Sequence, residues 1–215
     1  MTGRSPRRVA SRRDPERNQG RILAAAQAEF ARHGLGGARV DRIAARAGAN
    51  KRMLYYYFGN KDDLFLAVLE ESYRRIRNAE RALHLADLDP RAAMRRLVEF
   101  TWRYYLEHPE FLTLLNSENL HRGRHVKRSR HITAMHSPFV VMIREVLERG
   151  AKKAEFRRGV DPVQLYISIA GLGYFYLGNR HTLSAVFGRD LLSARNRTER
   201  LKHMTDVVLG YLAHR

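Results

Sequence analysis

From Asn18 onward, apolar residues recur three and four positions apart, and no run of four or more residues alternates convincingly between apolar and polar. That spacing predicts helices and no strands. The first predicted helix sets Ile22, Leu23, Ala26 and Phe30 on one face and stops at Gly34, the usual residue type for a left-handed cap. A short second helix carries the stripe Val40, Ile43, Ala44 and Ala47 and ends at Gly48; a third runs from Lys51 to about Phe58, with Asn50 as its N-cap. Asn60 caps a fourth, whose first turn holds Asp62 and Asp63 and whose buried face is Leu64, Phe65, Val68 and Leu69. Later starts are marked by Asp89-Pro90, His108-Pro109 and Asp161-Pro162, because proline at the first helical position loses no internal bond. Asp161 to Gln164 and Asn196 to Glu199 read as capping boxes, and the last helix aligns Leu201, Met204, Val208 and Leu212, with Val207 and Tyr211 alongside. The expected fold class is all-α with about nine helices, and the basic run His121 to Arg130 is expected to connect two of them.

Composition sharpens the picture. The 40 Lys and Arg against 22 Asp and Glu give a net charge of +18, and residues 1–60 hold 13 of the bases against 4 acids, a net +9. Half of the excess thus sits in little more than a quarter of the chain, which suits a polyanionic partner. The chain has no cysteine, which removes disulfides, thiolate metal sites and thiol nucleophiles. Its most apolar stretch, Val163 to Gly178, is shorter than the ~20 residues of a membrane-spanning helix, and the basic N-terminus leads into no apolar signal core. No membrane association is expected, and a cytoplasmic location is.

The segment Ala38 to Lys61 is the most specific. Two short helices joined by three residues, with Gly48 first in the turn, make a helix-turn-helix whose second helix can enter the DNA major groove. Ile43, Ala44 and Leu54 should face inward, leaving Lys51, Arg52, Tyr55 and Tyr56 outward, with Tyr57 divided between roles and Phe58 inside. Cations at a helix start reach phosphates or guanine edges, and tyrosines offer a hydroxyl and a ring to the backbone. Lys61 adds a contact beside the backbone N–H groups that open the next helix.

At these residues the chain resembles a known family. Arg21 to Leu69, above all GANKRMLYYYFGNKDDLFLAVLE from Gly48 to Glu70, is similar to the DNA-binding domain of the TetR family of bacterial transcriptional repressors. The resemblance implies an all-α homodimer whose N-terminal heads read a palindromic operator on double-stranded DNA, while a C-terminal domain dimerises and binds a small-molecule effector. Carried over by position, Lys51, Arg52, Tyr55, Tyr56, Tyr57 and Lys61 are the DNA contacts. Arg39 and Val40 stand where threonine is common, so Arg39 is assigned a phosphate contact of its own, and Tyr57 stands where histidine is common. The implied organisation is a flexible basic arm at 1–18, a helix-turn-helix domain at 19–65, and a ligand-binding and dimerisation domain at 66–215. Gly159 to Leu191 also looks like the C-terminal domain of one branch, which includes catabolic regulators.

Gly171, Gly173 and Gly178 lie within one predicted helix, each costing about 1 kcal/mol relative to alanine, which close approach of another helix would offset. Helices at about 162–183 and 198–213 are therefore expected to form the dimer interface through Gly171, Gly178, Leu201, Met204, Val208 and Leu212. The effector pocket is expected among Trp102, Tyr105, Phe111, Asn116, Asn119, Met135, Phe139, Met142, Tyr174 and Asn179, where aromatic and polar residues mix. His121, His125, His131 and His136 are not read as a metal site, because arginines crowd HRGRH and no carboxylate accompanies the pair. No catalytic motif is present, so no enzyme activity and no cofactor are expected. The resulting reading is a ligand-responsive repressor; the alternative is a sequence-nonspecific basic protein that binds nucleic acid through its charge.

Overall fold

The computed structural model describes residues 15–213. Ten α-helices follow one another: α1 Pro15–Gly37, α2 Val40–Ala47, α3 Lys51–Phe58, α4 Lys61–Arg81, α5 Pro90–Glu107, α6 Pro109–Leu120, α7 Arg130–Lys152, α8 Pro162–Gly178, α9 Arg180–Phe187 and α10 Ala194–Leu212. Short 3-10 turns at Leu85–Asp87 and Val126–Arg128 fill two connections, and the described residues form no strand beyond a single bridge between Phe156 and Ala213.

Local chemistry sets most of these boundaries. The side chains of Asn50, Asn60, Asp89 and Asp161 accept backbone N–H groups at the starts of α3, α4, α5 and α8. Gly34, at φ 63°, leaves helical geometry inside α1, so the expected stop holds as a break, after which one more turn leads to α2. Three expectations change. Helix α1 begins at Pro15, with proline in its first turn, so the last residues of the predicted arm are helical; the rest of the arm lies outside the described residues. The helix expected over 162–183 stops at Gly178, and α9 starts afresh after Asn179. The final helix is capped by Ser193, whose hydroxyl accepts the Asn196 N–H, while the Asn196 side chain turns back to the Asp190 carbonyl.

Two apolar clusters organise the bundle. The smaller gathers Ile22, Phe30, Ile43, Leu54, Phe65 and Leu69 from α1 to α4 and is closed by Leu114 of α6 and Ile132 of α7. The larger joins Ile76 at the far end of α4 with α5, α7, α8 and α10, through residues such as Leu97, Trp102, Ile143, Ile169 and Met204. Helix α4 belongs to both, and Tyr73 packs against each.

In the larger cluster α4 also buries two charged residues, Arg77 and Glu80. Burial pushes the Glu80 carboxyl up to about 8, against a smaller opposing pull from Arg77. A carboxyl held above its usual 4.5 favours the fold while protonated, and that contribution is lost as pH rises through about 8. Glu80→Gln, which cannot ionise, is expected to flatten the loss of stability between pH 5 and 8 in urea melts. An unchanged slope would remove Glu80 as its cause.

Candidate nucleic-acid interface

Helices α2 and α3 meet across Gly48-Ala49-Asn50. Gly48 sits at φ 59°, ψ 37°, a left-handed conformation that costs a residue with Cβ about 1 kcal/mol or more, and the Arg21 guanidinium fills the space a Cβ would need. Arg21 Nη2 also donates to the Ala47 carbonyl (2.5 Å), pinning the end of α2 to α1. On the far side of the turn, Asn50 Oδ1 accepts the Met53 N–H at 2.9 Å. The turn is thus fixed from both ends.

With Ile43, Ala44, Ala47 and Leu54 buried, α3 turns its other face to solvent. Lys51 and Arg52 are exposed at its start, Tyr55 is 49% exposed and Tyr56 83% exposed. A tyrosine ring that exposed forgoes burial of its apolar surface, which marks a residue available to a partner. Tyr57 is half-buried against the smaller cluster with its ring edge-on to Tyr56 (5.2 Å), and Phe58 packs inward. Tyr57 therefore packs with part of its side chain while the rest stays open to solvent.

The start of α2 departs from the cap chemistry used elsewhere. Arg39 occupies the N-cap position without a side-chain cap, and its guanidinium is held by Asp41 through two hydrogen bonds of 3.3 and 2.9 Å. Buried Glu29 of α1 accepts the Arg39 N–H at 3.2 Å and lies 3.6 Å from Arg42. The sequence reading missed Glu29, a carboxylate on an otherwise apolar helical face, one position from Phe30. Lys61 donates to the Gly36 carbonyl at 3.4 Å, beside the start of α4.

Here the basic connection expected after α6 finds its role. Arg124 and Arg128 reach Asp62 (3.0 Å) and Asp63 (2.6 Å) in the first turn of α4, so these arginines are engaged within the chain. Buried Glu118 accepts the backbone N–H groups of His125 (2.8 Å) and Val126 (3.0 Å) and lies 2.6 Å from His125 Nδ1, while the His125 ring packs edge-on to Phe65. The expectation that no carboxylate accompanies these histidines is thus corrected: Glu118 lies three residues before His121 on α6. The described residues contain no group of three metal-ligating side chains.

The residues expected to form an effector pocket do not all meet. Met135, Phe139 and Met142 line a cavity of about 250 Å³ between α4 and α7, whose wall also contains Arg77, Arg81 and His84. Trp102, Tyr105 and Phe111 are buried in the larger cluster. Asn119 and Asn179 are exposed and each donates to the carbonyl four residues before it, and Asn116 is exposed and accepts from the Tyr174 hydroxyl. Arg77 escaped the sequence reading although it sits between Tyr73, Ile76 and Glu80 on the inward face of α4, where a cation is out of pattern.

The expected dimer residues also divide. Gly171 and Gly178 are exposed, with nothing within 4 Å of where a Cβ would stand. Met204, Val208 and Leu212, however, are buried in this chain's own core, and half-buried Leu201 packs against it. Gly173 faces inward too, with a Cβ position 3.1 Å from the Tyr105 ring. On these two helices the large apolar residues that remain outside are Val163, Ile167 and Phe175 of α8 and Val207 and Tyr211 of α10.

Comparison with known proteins agrees with this arrangement. Residues 22–68 match the model of the tetR family of bacterial regulatory proteins, and residues 90–208 match that of the tetracyclin repressor-like C-terminal domain. The chain is 41% identical over 194 residues to the HTH-type transcriptional repressor NicS of Pseudomonas putida, covering 90% of this chain and 92% of that protein. It is 39% identical over 143 residues to an HTH-type transcriptional repressor of Streptomyces coelicolor, covering 64% and 69% respectively. Among solved structures, a TetR family transcription regulator from Marinobacter aquaeolei superposes with a TM-score of 0.69 at 19% identity, over 93% of this chain and 97% of that one.

The geometry separates two residues of the same segment by function. Asn50→Ala removes a cap and is expected to lower unfolding free energy by about 1 kcal/mol. Tyr56→Ala, at an exposed site, is expected to change it by less than about 0.5 kcal/mol. Urea unfolding of both variants checks the pair, and a large loss for Tyr56→Ala would make that ring structural.

Proposed function

Because the chain belongs to the TetR family of bacterial regulatory proteins, we propose that it is a ligand-responsive repressor that binds a palindromic operator as a homodimer. The observation that carries the reading is the outer face of α3, where Lys51, Arg52, Tyr55 and Tyr56 stand clear of the core on a helix braced by α2. Lys51 and Arg52 serve phosphates or guanine edges, Tyr55 and Tyr56 the sugar–phosphate backbone, and Lys61 a phosphate at the start of α4. Tyr57 supports Tyr56 from behind. Arg39 contributes less than its charge suggests, because Asp41 already holds it. A protein that acts on DNA in this way works in the cytoplasm of a bacterium, and no described helix is long and apolar enough to cross a membrane.

Homodimerisation is supported by α8 and α10. Val163, Ile167, Gly171 and Phe175 follow at intervals of four on α8, with Val207 and Tyr211 four apart on α10, so each helix keeps an apolar strip outside after its inner face is buried. Gly171 and Gly178 let a second copy approach closely, and four such helices make a symmetric interface. Two heads held about 34 Å apart by that interface fit successive turns of one face of a duplex.

Ligand response is supported by the course of α4. Its 21 residues span roughly 30 Å, from Lys61 beside α3 to Arg77 and Arg81 at the cavity. A ligand that prefers one packing of α4 against α7 therefore biases head separation, through the same helix that carries Asp62 and Asp63.

In vitro selection from random duplex DNA with the purified protein tests the reading. The expected outcome is a two-fold symmetric motif with half-sites about one helical turn apart. Tight binding at low salt with no enriched motif would instead establish sequence-nonspecific binding through charge. On the selected duplex, Tyr56→Ala is expected to weaken affinity roughly tenfold without changing the oligomeric state. Gly171→Leu is expected to yield a folded monomer by sedimentation; a Gly171→Leu dimer would place the interface elsewhere.

A further inference from the structure

The cavity between α4 and α7 is lined by Arg77, Arg81 and His84 and by no carboxylate. Arg81 and His84 are exposed at its rim, while Arg77 is 2% exposed and lies in the larger cluster. The Arg77 guanidinium makes one hydrogen bond, from Nη2 to the Tyr166 hydroxyl at 2.9 Å, and stands 4.1 Å over the Phe139 ring. Its Nε and Nη1 are buried without hydrogen-bond partners. Glu80 Oε2 lies 3.0 Å from Nη1 but out of line for a hydrogen bond, and is itself unpartnered. Burial pushes the Glu80 carboxyl up from its ordinary value, which weakens the compensation that this 3.0 Å pair gives the arginine's charge.

A buried cation with unused donors is costly, and such groups in native proteins call for a partner. The rest of the wall says what kind. Met135, Phe139, Met142 and Leu85 are apolar, and about 250 Å³ is below the 300–1,000 Å³ of drug-sized sites.

We propose that this cavity binds a small organic carboxylate, its carboxyl group paired with Arg77 and its apolar body lying against Phe139 and Met142. A guanidinium fork meets a carboxylate through two parallel charge-assisted hydrogen bonds, which a neutral ligand of the same shape cannot reproduce. Arg81 and His84 at the rim draw anions toward the opening. The proposal rests on the ligand-response reading for its regulatory meaning, but the binding site itself is tested without DNA.

Benzoate and its neutral isostere benzamide are the probes, titrated into the full chain with thermal unfolding as the readout. Benzoate is expected to raise the melting temperature saturably below about 10 mM, with benzamide at least about tenfold weaker. Arg77→Met is expected to abolish the difference between the two. Met142→Glu, at a half-buried wall position, places a negative charge in the cavity and is expected to lose benzoate binding even if Arg77→Met fails to fold. The proposal is overturned if benzoate does not saturate, if benzamide binds as well, or if either folded variant binds benzoate like the unaltered chain. Benzoate binding that leaves affinity for the selected duplex unchanged keeps this site and removes the ligand response.

Discussion

The two cores of this molecule are joined by shared helices, and α4 runs the full distance between them while α6 and α7 also contribute to both. The first half of α4 gives Leu64, Phe65, Val68 and Leu69 to the cluster that holds α3 in place, and its second half gives Ile76 to the cluster that holds the cavity. A helix is stiff along its axis, so a change in its packing at one end is delivered to the other as movement of a rod. The ends are fastened differently. At the head, the first turn is capped by Asn60 and bridged to Arg124 and Arg128. At the cavity, the helix carries an arginine with unused donors and a carboxyl forced toward its neutral form. One end is satisfied and the other is not.

Electrostatics divides the basic surface more finely than net charge does. Arg124 and Arg128 are consumed by Asp62 and Asp63, and Arg39 by Asp41. Exposed pairs of this kind contribute little to stability, but they decide which cations remain for a polyanion. Lys51 and Arg52 stand exposed at the start of α3, where the backbone N–H groups add to their field.

Much of this was legible in the sequence because short-range physics sets it. Caps at Asn50, Asn60, Asp89 and Asp161 and the break at Gly34 depend on residues within a turn of each other, and all stand where the spacing put them. Side-chain identity at the interior was less legible. An apolar stripe shows that Met204, Val208 and Leu212 are buried, not whether a second copy or the same chain buries them; the intrachain core took them, and the outer face fell to Val207 and Tyr211. Likewise Asn119 and Asn179 look like pocket residues by type, yet each is exposed and donates to the carbonyl four residues before it. Arg77, Glu29 and Glu118 went unread because a buried charge breaks the helical pattern instead of following it.

The closure of the smaller cluster by Leu114 and Ile132 bears on how such a protein diversifies. Those residues come from α6 and α7, and Ser117 of α6 accepts the Leu35 N–H in the same region. The helix-turn-helix segment is therefore not a self-contained cassette, since its core is completed by side chains encoded some fifty residues or more downstream of α3. Recombination that joins the head of one paralogue to the body of another inherits a mismatched lid unless the α6 and α7 positions travel with it. On the proposed reading, substitution on the exposed face of α3 alters the DNA-facing surface without disturbing packing, whereas exchange of whole heads disturbs the shared core.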